Sequence, residues 1–488
     1  MLLLTIALLT ADPPTYAEDV AAVLHAKCAS CHRPGQSGPF PLLSWEDADE
    51  HAETIAAVIA DDYMPPWPPS AKSPRMKHDR SLGEEEKSLI ARWVEAGAPA
   101  GDLKTAPEPP VFASEWMLGE PDLVLEMDEA YPVPADGRDI YRWFSLPLDS
   151  ETPLYLTAYE FKSTSNGAVH HSLLYLDKDR SGRTRTSRDG KPGFRGMRVA
   201  PREMIGGFVP GTVPLKWEDG LAVEIPAGSD LVLQTHFHPT GRAESEKSRV
   251  GLYFTDEKPE RPLHVARTPT GFGVVAGIDI PAGDDDYTIE AKFELPADAT
   301  AVGVSGHAHY ICESINLTAE LPGGDTKTLL DIADWDLDWQ GDYHFERPHK
   351  LPKGTILTTT LVYDNSEANP DNPFSPPRRV KWGEESTDEM GSTDLILVAD
   401  DAAGDEALAR AIRLTQFQML KRGHDFVDVG PLTFKEKAKL MFLDKSGDRL
   451  LQEDELPKQF RRFVTTLDAD GDGAVSFEEA KPVRRLLQ

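Results

Sequence analysis

The sequence predicts a multidomain protein in which a small α-helical domain precedes two tandem antiparallel β-sandwich domains of the jelly-roll type and a C-terminal α-helical region. Three observations predict this fold class: helical periodicity before residue 103, short alternating runs from 114 to 402, and helical periodicity with two acidic loops after 403. A chain of 488 residues is also too long for a single hydrophobic core.

The predicted first domain covers residues 18–103. EDVAAVLHAKC carries apolar residues at helical spacing, and SLGEEEKSLIARWVEAGAP offers a capping box at Ser81 and Glu84 and a stop signal at Gly97. These patterns predict helices at both ends of the domain. The proline-rich segment 104–113 is predicted to be a linker.

The predicted β-sandwiches cover residues 114–262 and 263–402. Runs such as LYLTAYEF, LVLQTHFH and TILTTTLVY are typical of strands. The 40 prolines are consistent with many turns between short strands, and this length of alternating pattern indicates two sandwiches. Residues 403–488 are predicted to be helical again.

Composition excludes several classes of protein. The chain has 82 acidic and 51 basic residues, a net charge of −31, which argues against binding nucleic acid or anionic membranes. Its three cysteines are too few for a disulfide framework.

The N-terminal segment 1–17 is predicted to be an export signal. Its apolar run is too short to span a bilayer, and it ends in small residues near Ala11 or Ala17. No second apolar stretch approaches twenty residues. We therefore expect a periplasmic or extracellular protein with no integral membrane segment in its mature form.

Cys28-Ala-Ser-Cys31-His32 has the spacing of a c-type haem attachment motif. Two thioether bonds would fix the porphyrin, and His32 would be an axial iron ligand. Met64 is the predicted second axial ligand, with Met76 as the alternative. The segment resembles the small class I cytochromes c that are fused to larger bacterial enzymes.

Two acidic loops near the C-terminus predict calcium binding. The second loop has the EF-hand pattern, with Gly473 at the sharp turn and ligand positions at Asp468, Asp470, Asp472, Ala474, Ser476 and Glu479. The first loop is a degenerate copy, with ligand positions at Asp444, Ser446, Asp448, Leu450 and Glu455. Arg449 replaces its turn glycine, which strains the backbone. We expect weaker binding there, and a calcium-free acidic turn is the alternative.

Three histidine pairs and a methionine suggest two copper ions. The pairs stand in AVHHSLLYL, LQTHFHPTG and SGHAHYI, and the methionine in STDEMG. Imidazole suits copper and a thioether favours Cu(I), so the ligands indicate redox chemistry rather than hydrolysis. On a strand, H-x-H places both rings on one face. Adjacent histidines can share a metal only where the backbone bends.

These motifs resemble those of the copper type II, ascorbate-dependent monooxygenases, the family of peptidylglycine hydroxylating and dopamine β-monooxygenases. The resemblance covers roughly 114–400 and rests on HHS at 170–172, THFHPTG at 235–241, HAH at 307–309, LVYDNSEANP at 361–370 and DEM at 388–390. It implies an electron-transfer copper at His170, His171 and His236. It also implies a catalytic copper, where oxygen binds, at His307, His309 and Met390. His238 is either a supporting neighbour of His236 or an alternative ligand.

The resemblance implies an exported copper-dependent monooxygenase that hydroxylates a C–H bond of an unknown small substrate with O2. An external donor, ascorbate or a redox protein, would supply electrons through the haem. The alternative is a copper and haem redox carrier that hydroxylates nothing. The chain departs from the family at Ser172, where methionine is common, and at Gly391, where cysteine is frequent. His344 and His349 are expected at the surface or in turns.

Overall fold

The computed structural model describes residues 12–480 except 113, 166, 188, 196–203, 210–211, 219, 275, 384, 426–439, 442, 447, 457–463, 465–472 and 478–479. Contacts divide the chain into two compact units. The first comprises 1–67 and 78–120, and the second comprises 68–77 and 121–488. Most of the predicted export signal lies outside the described residues, but Tyr16 and Ala17 at its end are buried in the first unit.

The first unit is helical. After a short π-helical turn at Tyr16–Val20, its helices are α1 (Ala21–Lys27), α2 (Trp45–Glu50), α3 (Ala52–Ala60) and α4 (Glu84–Glu95). Apolar residues at helical spacing from these elements meet in one core, as in the case of Leu24, Ile90 and Trp93. The helical spacing in EDVAAVLHAKC and in the α4 segment therefore identified the buried faces.

The start of α4 differs from the prediction. Gly83, not Ser81, is the N-cap, and Glu86 Oε2 accepts the Gly83 N–H at 2.9 Å. Ser81 instead donates its hydroxyl to Asp79, at 2.6 Å. Three consecutive glutamates offer the three-residue spacing of a capping box in two registers, so spacing alone did not select one. The predicted stop is confirmed, since Gly97 follows the helix with φ +82°.

The second unit contains the β-strands. In its first half they are β1 (Leu123–Glu126), β2 (Tyr131–Val133), β3 (Ile140–Leu146), β4 (Leu154–Lys162), β5 (Val169–Asp177), β6 (Met204–Phe208), β7 (Val223–Ile225), β8 (Asp230–Phe237), β9 (Glu244–Glu246) and β10 (Arg249–Thr255). A 3₁₀ turn at Ser181–Thr184 follows β5.

The second half continues with β11 (His264–Thr268), β12 (Asp279–Ile280), β13 (Tyr287–Glu294), β14 (Ala299–Ala308), β15 (Cys312–Glu320), β16 (Thr326–Ile332), β17 (Asp342–Leu351), β18 (Ile356–Tyr363), β19 (Val380–Lys381) and β20 (Gly391–Ala399). Helix α5 (Ala402–Asp425) follows, and then β21 (Leu450–Leu451) and β22 (Val475–Ser476).

Within the described residues, these strands form four separate four-stranded sheets and three two-stranded ones, all antiparallel. The four-stranded orders are β1-β10-β4-β7, β3-β8-β5-β6, β11-β20-β14-β17 and β13-β18-β15-β16. One apolar core draws side chains from the first two sheets, including Leu125, Phe144, Leu231 and Leu252. In β18, the alternation seen in the sequence reflects one buried face, since buried and half-buried residues alternate. In β8, seven of the eight residues are buried, so both faces are covered.

The predicted fold class is wrong. The described residues form a mostly β protein with four separate four-stranded sheets and five α-helices, four of which have twelve residues or fewer. Residues 121–488 cluster as one unit, so the predicted series of a helical cytochrome domain, two tandem jelly rolls and a helical EF-hand pair is not found. Periodicity reports which face a strand buries, but not which elements cover that face. Contacts such as Asp139 with Ser386 cross the predicted boundary at 262.

None of the helices in the described part of the chain combines the length and apolar composition that a membrane crossing requires.

Candidate metal sites

A β-bulge in β5 brings three histidine rings together. Val169 pairs with Phe237, but the next pair along the ladder is His171 with His236, so His170 is the extra residue. A bulge breaks the strict alternation of side chains and bends the strand. His170 and His171 thereby lie on one face, beside His236 of β8. This is the bend that two adjacent histidines need in order to share a metal.

The three rings form a cluster of suitable size for one metal ion. His171 Nδ1 lies 3.2 Å from His170 Nδ1 and 3.4 Å from His236 Nδ1. One nitrogen from each ring falls within 4.8 Å of the other two. Imidazole nitrogens bound at ~2.0–2.1 Å in tetrahedral geometry lie ~3.3 Å apart. We call these residues the three-histidine cluster, and their spacing fits a first-row transition metal.

The surroundings favour the neutral form of His170 and His171. Burial lowers the pKa of His170 to about 4, with a further contribution from His236. Burial also lowers the pKa of His171 well below its ordinary value, with His236 and His170 adding to the effect. Neutral imidazole is the form that donates a lone pair to a metal. Tyr141 stacks on His236, with ring centroids 4.3 Å apart.

His238 lies outside the cluster. It follows the last residue of β8, its side chain is 59% exposed, and its Nδ1 lies 2.8 Å from Asp139 Oδ1. The other oxygen of the same carboxylate lies 2.9 Å from His236 Nε2. Of the two roles left open by the sequence, this placement favours that of a supporting neighbour.

The second candidate site is assembled by the pairing of β14 with β20. Ala308 pairs with Gly391, and His309 and Met390 stand one residue beyond this pair. Glu389 Oε1 accepts the backbone N–H of His309 at 2.6 Å and that of Met390 at 2.8 Å. Residues 81 positions apart in sequence therefore meet at one carboxylate oxygen. We call His307, His309 and Met390 the His-His-Met group.

Hydrogen bonds orient both rings of this group. His307 Nδ1 lies 2.6 Å from Gln340 Oε1, and His309 Nδ1 lies 3.2 Å from the carbonyl oxygen of Asp388. Because both acceptors are oxygens, each ring carries its proton on Nδ1 and presents the Nε2 lone pair. The ring centroids are 5.3 Å apart and nearly perpendicular.

Burial lowers the pKa values of the histidines in this group, as it does for His170 and His171 of the three-histidine cluster. It lowers the pKa of His307 to about 4 and that of His309 to about 3. Burial also raises the pKa of Glu389 to about 8, against three backbone N–H groups that lower it. Glu389 is 0% exposed, so it is a structural clamp for two candidate ligands and not a group in contact with solvent.

The two candidate sites interact electrostatically. A protonated His307 would lower the pKa of His170 and of His171, and a protonated His236 would lower that of His309. The sequence predicted each ligand set separately. The structure places both sets within interaction distance in one unit.

In the first unit, the geometry fits haem attachment. His32 Nδ1 lies 3.0 Å from the carbonyl oxygen of Phe40, which leaves Nε2 as the nitrogen that can face an iron. Cys28 and Cys31 are both free thiols. A Cβ at Gly38 would lie 2.7 Å from the Cys31 carbonyl oxygen and 2.9 Å from His32 Cα, so glycine lets this loop close against the motif.

The two candidate axial methionines fall in different units. Met64 is half-buried in the first unit, where its N–H donates to the Val58 carbonyl oxygen at 3.0 Å. Met76 belongs to the second unit, where it is buried and forms an isolated bridge with Phe345. Met64 remains the predicted ligand.

The calcium loops are described in part. Asp468, Asp470, Asp472 and Glu479 lie outside the described residues. Ala474 and Ser476 are described, and Leu450 of β21 pairs with Ser476 of β22, so the two loops lie side by side. Calcium binding at either loop stays a prediction.

The carboxylates of the first loop accept hydrogen bonds from the backbone N–H groups of the same loop. Glu455 Oε1 accepts the N–H groups of Lys445 and Ser446, each at 2.8 Å, and Asp444 Oδ2 accepts that of Arg449 at 2.9 Å. Asp448 accepts the Leu450 N–H. Arg449 has φ +69°, the strained conformation expected where this loop lacks the turn glycine.

Several residues at the sites were not singled out from the sequence. Glu389 stood inside the DEM motif, but only strand register shows that it joins His309 to Met390. Asp139 and Gln340 lie far from their partner histidines in sequence, and no local signal marks them. His344 was expected at the surface or in a turn, and this is wrong: it lies on β17, is 6% exposed and stacks on Trp217.

The comparisons with known proteins are weak. The sequence matches no protein-family model and no curated protein. The major capsid protein P2 of bacteriophage PM2 is 8% identical, with 57% of this chain and 97% of that chain covered and a TM-score of 0.25. PNGase F, a glycosylasparaginase from Flavobacterium meningosepticum, is 11% identical, with 57% of this chain and 97% of that chain covered and a TM-score of 0.28. The VP2 subviral particle of infectious bursal disease virus is 10% identical, with 59% of this chain and 74% of that chain covered and a TM-score of 0.19. TM-scores this low carry no argument about fold or function.

Proposed function

We propose that this protein is a copper-dependent monooxygenase that inserts one oxygen atom of O2 into a C–H bond of a small substrate. The observation that carries the proposal is the convergence of His170, His171 and His236 on one point, within 4.8 Å, together with a separate His-His-Met group in the same unit. A nitrogen-only set beside a thioether-containing set suits two copper ions with different tasks.

Copper at these residues would supply one-electron storage at each ion and, at the His-His-Met group, activation of dioxygen. The hydroxylation consumes O2, two electrons and two protons, and releases one water with the product. The protein's own part is to hold the ligands. The β5 bulge aims two rings at one point, Gln340 and the Asp388 carbonyl orient His307 and His309, and Glu389 holds His309 and Met390 together.

We propose that electrons enter through a haem attached at Cys28 and Cys31. His32 supports this assignment, because its Nδ1 hydrogen bond to Phe40 presents Nε2 as the axial nitrogen. The donor would be ascorbate or a redox protein. Covalent haem attachment suits a periplasmic or extracellular location, and calcium at the C-terminal loops would be a structural ion.

The proposal is tested by metal content and product formation in the full-length protein. We expect two copper ions and one haem per chain, with ¹⁸O from ¹⁸O2 found in the hydroxylated product from a panel of small C–H substrates. Met390→Ala should retain the copper of the three-histidine cluster and form no product. Product formation unaffected by Met390→Ala would overturn the monooxygenase assignment.

A stopped-flow measurement tests the electron inlet separately. Ascorbate should reduce the haem before the copper, and His32→Ala should slow copper reduction. If copper reduction is unchanged in His32→Ala, the haem is not the inlet. Haem and copper that reduce normally, without product from any substrate in the panel, would support the alternative of a redox carrier.

A further inference from the structure

We infer that Asp139 is a positioning residue that fixes which nitrogen of His236 faces the metal. Asp139 lies directly before β3, opposite the end of β8. Its Oδ2 is 2.9 Å from His236 Nε2, and its side chain is 16% exposed. The inference rests on the proposed function, since it concerns the same three-histidine cluster.

The two nitrogens of the His236 ring have different roles. A neutral imidazole carries one N–H, and a carboxylate can only accept. Asp139 Oδ2 lies 2.9 Å from His236 Nε2 without an aligned hydrogen bond. Its negative charge still favours the proton, rather than a lone pair, on the nitrogen that faces it. The lone pair is then on Nδ1, the nitrogen that lies 3.4 Å from His171 Nδ1 and faces the cluster. Without this carboxylate, the proton can move to Nδ1 and block the metal side of the ring.

The second carboxylate oxygen of Asp139 contacts the other histidine of the H-x-H motif. Oδ1 lies 2.8 Å from His238 Nδ1, so both oxygens engage histidines of the same H-x-H motif. Ser386 also lies near, with its hydroxyl 3.4 Å from Oδ2. An asparagine at this position offers its one acceptor oxygen to only one of the two histidine rings. Its N–H₂ group then faces the second ring. Asp139→Asn should therefore retain part of the orienting effect on His236, and Asp139→Ala should lose that effect.

The experiment isolates the three-histidine cluster. In full-length protein carrying His307→Ala and His309→Ala, copper is titrated against a competing chelator, and the Cu(II) EPR spectrum is recorded. Asp139→Ala in this background should weaken copper binding by roughly 10- to 100-fold, the usual effect of removing a carboxylate that supports a metal-bound histidine. It should also change the EPR hyperfine splitting, which loss of stability alone would not do. Asp139→Asn should fall between.

Asp136→Asn is the matched control, because it removes the same charge from the same connection at an exposed residue. It should leave the affinity and the spectrum unchanged. An equal loss in Asp136→Asn would mean that charge, not contact, matters, and would overturn the inference. So would an unchanged affinity and spectrum in Asp139→Ala. If the parent protein binds no copper at all, the proposed function fails instead.

Discussion

Asp230 is a buried carboxylate at the first position of β8, the strand that carries His236. It is 0% exposed, and it accepts two hydrogen bonds from the Arg183 guanidinium and one from the Leu148 N–H. Burial acts to raise the Asp230 pKa, but these donors outweigh it and hold the pKa below its ordinary value of 3.8. Asp230 is therefore ionised in the native protein and ties the start of β8 to two loops.

This lowered pKa predicts acid sensitivity. As pH falls through 3.8, the unfolded chain binds a proton at this position before the native protein does, so stability decreases. Asp230→Asn should cost roughly 1–3 kcal/mol at neutral pH, because Arg183 loses its buried anionic partner and keeps only the exposed Asp149. That difference from wild type should shrink as pH falls toward and below 3.8.

Urea unfolding at a series of pH values measures this effect. Asp256→Asn is the control, since Asp256 is an exposed carboxylate near the end of β10, and it should behave as wild type at every pH. A stability difference between Asp230→Asn and wild type that stays constant down to pH 2.5 would contradict the prediction.

At the same scale, the sequence identified candidate ligands but not how their rings are held. Paired histidines can be recognised in a sequence by their residue type and spacing. The sequence also stated the condition for His170 and His171 to act together, a bend in the strand, and the bulge at His170 meets it. Asp139 could not be found in this way, because it joins His236 only through the pairing of β3 with β8.

At the scale of elements, the pairing of β14 with β20 sets the His-His-Met group, and Gly391 is the residue that permits it. A Cβ at Gly391 would lie 2.1 Å from the Tyr363 hydroxyl oxygen and 2.6 Å from Leu361 Cδ1. That hydroxyl donates to the Met390 carbonyl oxygen at 3.0 Å. The close approach of β18 to β20 therefore explains why glycine stands where the resembling family often has cysteine.

Gly391→Ala should destabilise the protein by about 1–3 kcal/mol, because the added methyl group overlaps a buried tyrosine that cannot easily move. It should also weaken copper binding at the His-His-Met group, since Met390 shifts with its carbonyl. Thermal unfolding and copper titration measure the two effects.

Gly323→Ala is the matched control for this substitution. Gly323 lies in the turn between β15 and β16, where an added Cβ would meet nothing within 4 Å. It should change neither property. Copper affinity in Gly391→Ala equal to that of wild type would show that the Tyr363 contact does not position Met390.

At the scale of the whole molecule, the chain divides into two compact units with different candidate cofactors. The haem motif falls in the first unit, and both candidate copper sites fall in the second. Any ligand that binds only the native state stabilises the part that it contacts, by about 2.7 kcal/mol at a hundredfold excess over Kd. Each unit should therefore respond to its own cofactor.

Calorimetry of the haem-loaded, copper-free protein should show two unfolding transitions. Copper should raise the Tm of the larger transition by several degrees and leave the smaller one in place. His236→Ala combined with His307→Ala should abolish this response. A single transition, or an equal shift of both, would contradict the assignment of copper to the second unit.

The sequence by itself determined the candidate cofactor motifs of this chain, because C-x-x-C-H, paired histidines and acidic loops depend on residue identity and local spacing. Alternation also located individual strands, such as β4, β8 and β18. The fold class was predicted wrongly, since periodicity does not specify which sheets cover one another.

Only the tertiary structure decided how residues far apart in sequence meet. His171 reaches His236 through a bulged strand pair, Met390 reaches His309 through Glu389, and Asp139 reaches His236 across β3 and β8. The physical reason is that metal sites and buried carboxylates depend on long-range strand register. Register results from the packing of the whole unit, and no local segment of the chain encodes it.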